Sequence, residues 1–294
     1  MATVAKMPRR LPSPILIGGT GRSGTTALAH LLGHHPVVGE VPFEARFHTD
    51  ADGLPALWED HESMTRFVST MWSRWFVQLH NPPNPSRGGL DRIMSRGELQ
   101  DALFDLTEEF GANPIRAARL FTRAVLDRVA SAGGKLTWVE ASPRNVLFAP
   151  PLLQIFPRMR LVVCVRDGRD VAASLARLGW TENFDSGLTW WEDRTRKCSA
   201  ALGHLPADVA HVLQFEDLTI GKRDQTYTEL MDWLALSDSR QMRSAFAAEM
   251  PAEKANVGRW QKGVSDSERH RRDRSYAEML ERLERDRVSL LPVG

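Results

Sequence analysis

Cysteine is scarce: two in 294 residues exclude a disulfide-stapled scaffold and a cysteine-based metal centre, which fits a reducing compartment. Cys164, inside an apolar run, reads as a small buried thiol. An excess charge of either sign is also missing. The 38 basic and 37 acidic side chains leave a net charge of +1, so no global field steers nucleic acid or an anionic membrane, and anion binding has to be local. Long hydrophobic runs are lacking too. After the opening MATVAKMPRRLPSP, the apolar stretch at 15–17 is too short for a signal-peptide core, and nothing approaches the roughly 18 apolar residues of a membrane span. Repeats and low-complexity tracts are absent. The expectation is a cytoplasmic chain with no membrane span, no nucleic-acid partner and no metal requirement. What is present is ordinary for a globular protein, with 42% hydrophobic and 26% charged residues, enough for a sizeable core.

Four compact apolar runs, at 14–18, 136–140, 159–166 and 211–215, read as buried strands. Helical patterns at 25–32, 99–130, 170–178 and 224–236 separate them. This alternation predicts an α/β fold, a P-loop-type parallel sheet flanked by helices, forming one domain over 1–294. The stretch 51–97, rich in tryptophan, proline and glycine with HNPPNPSRGG at its centre, reads as an insertion. It has two readings: a surface loop around an ordinary packed helix at 64–79, or an acceptor-binding lid. The last segment, 265–287, alternates charges with Ala277, Leu280 and Leu283 along one side, and predicts a solvated amphipathic helix.

GGTGRSGTTAL, 18–28, follows a predicted strand and opens a predicted helix. Glycines let successive N–H groups converge and the helix terminus adds partial positive charge, so the loop is an anion cradle. Arg22 supplies a fixed charge, Gly24 a tight turn, and Ser23, Thr25 and Thr26 hydroxyl donors. Against the pattern G-x-x-x-x-G-K-[ST], Thr25 stands where the lysine that reaches the β- and γ-phosphates belongs, which weakens an ATPase, GTPase or kinase reading. RLVVCVRDGRDVAASL, 160–175, repeats the strand, turn, helix order. Arg166 stands at the strand's carboxyl end, where α/β proteins bind ligands, Ser174 lies on the following helix, and Asp170 is available as its cap.

With these two loops in view, the sequence resembles the PAPS-dependent sulfotransferases, in the branch carrying P-R-S-G-T-T, which includes tyrosylprotein and bacterial enzymes. HHP at 34–36, EASPRN at 140–145, FEDL at 215–218 and VGRW at 257–260 extend the likeness over nearly the whole chain. The resemblance implies that 22–26 holds the 5′-phosphosulfate of 3′-phosphoadenosine-5′-phosphosulfate (PAPS), that Arg166 and Ser174 hold the 3′-phosphate, and that adenosine 3′,5′-bisphosphate is the product. It also implies that the loop carrying Gly258, Arg259 and Trp260 closes over the nucleotide, against an alternative in which Trp260 is core and Arg259 surface. Two departures stand out. Ala141 replaces a lysine that assists the leaving phosphate in many relatives, leaving that task to Arg22 alone or with Arg144. Phe215 replaces a common tyrosine.

Sulfuryl transfer needs a base beside the acceptor. Helix 25–34 carries the chain about 15 Å from the first loop and a short strand at 37–41 carries it about 17 Å back. Glu44 then falls beyond the strand end near the loop, whereas Glu40 falls within the strand. Glu44 with Arg46 also resembles the E-x-R pattern of the tyrosylprotein branch, so Glu44 is the candidate base and Arg22 its catalytic partner. The competing readings are a structural ion pair of Glu44, Glu40 as base, or a histidine among His34, His35 and His48, of which the first two read as capping residues. As a whole, the sequence predicts a sulfotransferase acting on an acceptor of open class: carbohydrate, lipid, peptide tyrosine or natural product. The runner-up is an ATP-dependent small-molecule phosphotransferase, and a third reading is a nucleotide-binding protein that has lost catalysis.

Overall fold

Five short runs of β-branched and leucine residues form a single all-parallel sheet, seen in a computed structural model that describes residues 13–59, 63–77 and 88–292. The strands are β1 (Ile15–Gly19), β2 (Val38–Glu40), β3 (Thr137–Glu140), β4 (Arg160–Val165) and β5 (Ala210–Gln214), in the order β2-β3-β1-β4-β5. β1 is central: the chain leaves it for the β2 edge, returns through β3, then crosses to β4 and β5. Its carboxyl end is therefore the point where strand order reverses, the place where open α/β sheets bind ligands.

Alternation along the strands explains the two layers. Leu161, Val163 and Val165 pack on one face with the Arg96–Phe110 and Pro114–Ala132 helices, while Val162 and Cys164 face the Thr25–Gly33, Arg223–Trp233 and Arg240–Glu249 helices. Each such fully buried side chain contributes about 1.5–3 kcal/mol. A third apolar cluster joins Val171, Leu175, Trp191, Trp260, Tyr276 and Leu283 beside the sheet. Cys164 is buried within the second layer, and burial raises its thiol pKa to about 12. Among the described residues no helix is long and apolar enough to cross a membrane.

The strands lie where the sequence places them, and several helices do not. The single helix expected over 99–130 is two, broken where Asn113 caps a new start with Pro114 in its first turn; Ser95 and Glu98 form a capping box at the head of the first. The Phe184–Leu202 and Arg240–Glu249 helices have no counterpart in the sequence reading. In the segment 51–97, Leu54, Leu57, Phe67, Met71, Trp75 and Leu90 are buried in the first core layer. The helix expected at 64–79 appears as Ser63–Thr70 followed by a wider turn over Met71–Phe76. Residues 80–87, most of HNPPNPSRGG, lie outside the described residues. The terminal helix, Asp266–Arg285, is also not merely solvated. It buries Tyr276, Met279 and Leu283, while Ala277 is exposed.

Candidate active site

The turn that leaves β1 is built from close approaches. A Cβ at Gly19 would come within 2.4 Å of the Cys164 carbonyl, and at Gly24, where φ is 86°, it would lie 2.2 Å from the Phe215 ring. Between them Arg22 takes a left-handed φ of 57°, a conformation that costs a non-glycine residue about 1–2 kcal/mol. The loop ends on Gly24, which caps the Thr25–Gly33 helix without any side-chain hydrogen bond and with no acidic residue in the first turn. Its first amides thus lack an acceptor within the helix. Ser23 is fully buried and its Oγ has no hydrogen-bond partner among the described residues. A buried hydroxyl beside an uncapped helix start is a cradle suited to an anion.

Arg166 leaves the end of β4 and reaches back to this loop. Its Nη1 donates to the Arg22 carbonyl at 3.1 Å, and its Nη2 donates to the carbonyls of Ala255 and Asn256 at 2.9 and 3.1 Å. Nε is buried without a partner, and the guanidinium lies 4.8 Å from the centre of the Phe215 ring. Phe215 thus packs against both loops at once. Arg22 Nε donates to Ser174 Oγ at 3.1 Å, so residues expected to hold opposite ends of one ligand are in direct contact. Burial, then the neighbouring Arg177 and Arg166, weigh against the Arg22 charge, an imbalance that an anion would relieve.

The cap of the Gly168–Arg177 helix is Asp167, whose carboxylate accepts from Arg169 N at 2.8 Å, and not Asp170 as the sequence suggested. The helix simply starts earlier than the sequence reading placed it. Asp170 is instead an anchor. Its carboxylate accepts the amides of Gly258 and Trp260 at 2.8 and 3.1 Å, pinning the 257–260 loop beside Arg166. Trp260 itself is buried in the third cluster with Arg169 over its ring, and Arg259 donates to Asn256 Oδ1 at 3.0 Å.

Glu44 lies four residues past β2, as the trace required. With Thr26, Glu40, Phe43 and Ala141 it lines a cleft of about 110 Å³. Burial and the charge of Glu140 raise its pKa to about 7, against the pull of Arg46 and Arg22. Glu40 closes β2 and is paired with His30 at 3.0 Å. A larger cavity, about 460 Å³, opens at the amino ends of the strands beside Pro14, Leu136 and Arg158, away from the loops that carry Arg22 and Arg166.

The loop bearing Glu44 is held from below by a network that sequence reasoning missed. Glu140, fully buried at the end of β3, accepts from Ala45 N at 2.9 Å, Ser142 Oγ at 2.5 Å and Asn145 Nδ2 at 2.7 Å. Asn145 Nδ2 also donates to the Ile17 carbonyl of β1, and its Oδ1 meets His48 Nε2 at 2.9 Å. Burial opposes the Glu140 charge, but the bonds from His48, Ser142 and Asn145 prevail and hold its pKa below the usual value. His48 is thereby committed to this network. Arg46 pairs with buried Asp50 at 3.1 Å, and Arg144 donates to the Thr49 carbonyl at 3.0 Å, fastening the far end of the loop. The EASPRN motif was the available signal, but nothing in it says which loop its carboxylate serves. His34 caps the Thr25–Gly33 helix as expected, and His35 accepts from Val37 N.

The family model described as "Sulfotransferase family" matches residues 14–240. Among solved structures the chain is similar to the sulfotransferase domain from the curacin biosynthetic pathway, at 17% identity over 87% of this chain and 93% of that one, with a TM-score of 0.50. It is equally similar to the sulfotransferase domain of the Synechococcus PCC 7002 olefin synthase, at 17% identity over 89% and 92%, TM-score 0.50. A sulfotransferase from Mycobacterium tuberculosis H37Rv follows at 16% identity over 87% and 78%, TM-score 0.48. No curated protein matches by sequence.

Proposed function

We propose, from the premise that this chain belongs to the sulfotransferase family, that it transfers a sulfuryl group from PAPS to a hydroxyl or amine acceptor in the cleft beside Glu44. The observation that carries the cofactor assignment is the uncapped helix start at Gly24 with the buried, unpartnered Ser23 hydroxyl. Those groups fit a phosphate, and Arg22, Thr25 and Thr26 complete the cradle for the 5′ end. Arg166 and Ser174 serve the 3′-phosphate, and the Arg22–Ser174 bond is the contact that has to be given up or shared when the nucleotide enters. The loop carrying Gly258, Arg259 and Trp260 flanks the same side through Asp170.

When bound, PAPS supplies a sulfuryl group already activated by its phosphate leaving group. Glu44 takes the acceptor proton, and its raised pKa suits a base working near neutral pH. The Glu140 network fixes Ala45, the next residue, and so holds the backbone that carries the Glu44 carboxylate. Arg22 balances charge at the leaving phosphate in place of the lysine missing at Ala141, while Arg144 is occupied with the Thr49 carbonyl. Thr25 in the lysine position argues against the phosphotransferase alternative. The test is transfer of sulfur-labelled sulfate from PAPS to a panel of carbohydrate, lipid, tyrosyl-peptide and natural-product acceptors. Labelled product from any class supports the reading. Phosphate transfer from ATP with magnesium, and none of sulfate, overturns it.

A further inference from the structure

Outside the phosphate loops, His30 and His34 stand one helical turn apart at the end of the Thr25–Gly33 helix, spacing that puts both rings on one face. Glu249, the last residue of the Arg240–Glu249 helix, meets them. Its Oε2 is 3.7 Å from His30 Nε2 and its Oε1 3.5 Å from His34 Nε2. One ligand atom from each of the three residues lies within 4.8 Å of the others. Zinc–nitrogen and zinc–oxygen bonds of about 2.0–2.2 Å in a tetrahedron put ligand atoms roughly 3.3–3.6 Å apart, so the gap between these atoms is close to that spanned by one ion.

Two further features point to a ligand. His34 Nε2 is shielded from solvent and has no hydrogen-bond partner among the described residues. On the other ring, His30 Nδ1 is bonded to Glu40 Oε2 at 3.0 Å, which assigns the proton to Nδ1 and turns the Nε2 lone pair toward Glu249. A carboxylate on the far nitrogen of a histidine is the arrangement that orients metal-bound imidazoles.

We propose that His30, His34 and Glu249 form a site for a divalent transition ion of the zinc class, with water completing the tetrahedron. Two imidazoles and a carboxylate favour zinc over calcium or magnesium. None of the three ligands lines the Glu44 cleft, so the ion is a clamp and not a participant in group transfer. It ties the helix that begins at the first phosphate loop to the Arg240–Glu249 helix, and through His30 it fixes Glu40, which does line that cleft.

The test uses the untagged full chain, stripped with chelator and titrated with Co²⁺ alone, reading the visible absorption of tetrahedral cobalt and its displacement by Zn²⁺. Neither depends on which reaction the chain catalyses. One equivalent should bind. His30→Gln and Glu249→Gln should each lose roughly a hundredfold or more in affinity, and Glu40→Gln roughly 10–100-fold, the scale for an outer partner. Circular dichroism checks that each variant is folded. Should a variant unfold, His34→Asn replaces it in the same titration. No tetrahedral spectrum, or equal binding by wild type and folded variants, overturns the site.

Discussion

A carboxyl whose pKa sits near 7 has two consequences at Glu44, and they run in opposite directions. As a base it is competent only when ionised, so turnover at saturating PAPS should climb through about pH 7. For stability the sign reverses. The folded state holds the proton more tightly than the unfolded chain, whose ordinary value is 4.5, so stability from this group is full below that value and is lost as pH rises through about 7. Glu44→Gln should therefore cut turnover on the order of a hundredfold, keep affinity for adenosine 3′,5′-bisphosphate, and raise the Tm above wild type at pH 8 but not at pH 4. Glu40→Gln should cost far less activity, since its carboxylate is engaged by His30. Full activity in Glu44→Gln removes it as the base. At the second loop, Arg166→Ala should weaken adenosine 3′,5′-bisphosphate more than the 5′-phosphate compound lacking the 3′ group. Equal losses for the two ligands in a calorimetric titration would count against that assignment.

At the scale of elements, the 257–260 loop depends on a helix about 90 residues earlier. Asp170 accepts two of its amides while buried near Arg166, at 3.8 Å. Charged hydrogen bonds of this kind are worth about 1.5–3 kcal/mol each, and removing the carboxylate strands both amides and Arg166. Asp170→Ala should destabilise the fold by about 2–5 kcal/mol in urea denaturation and weaken nucleotide binding. Unchanged stability would mean the loop is held by Trp260 packing alone. This anchor also shows what could be read in advance. The strands were legible because each is a short apolar run ending in a turn, and the return path over 25–41 placed Glu44 from rise per residue alone. Asp170 was legible as a helix-start acid but not as a partner of Gly258, because a contact across such a separation leaves no local pattern. The break at Asn113–Pro114 was visible in principle, yet the apolar period runs through it. Glu140 looked like one letter of a motif, and only the sheet order puts it beneath Ala45.

Over the whole molecule, the proposed nucleotide site is a junction and not a pocket within one layer. Phe215 touches the first loop at Gly24 and the second at Arg166, while Arg166 also holds Ala255 and Asn256, so residues from four distant stretches of chain meet at the carboxyl edge of the sheet. A ligand that satisfies Ser23, the free amides of the Thr25–Gly33 helix and Arg166 together binds only the assembled fold and should stabilise all of it. At a hundredfold excess over Kd the gain is about 2.7 kcal/mol, and at roughly 2–4 °C per kcal/mol this predicts a Tm rise of about 5–10 °C with adenosine 3′,5′-bisphosphate. ATP with magnesium should raise Tm far less, because Thr25 provides no ammonium for the β- and γ-phosphates. Arg22→Ala should reduce the shift, and Gly24→Ala should lower Tm even without ligand, since a methyl there meets the Phe215 ring. Thermal unfolding with each nucleotide, for wild type and both variants, separates the readings. A larger shift with ATP and magnesium than with the bisphosphate would move the chain's donor from PAPS to ATP.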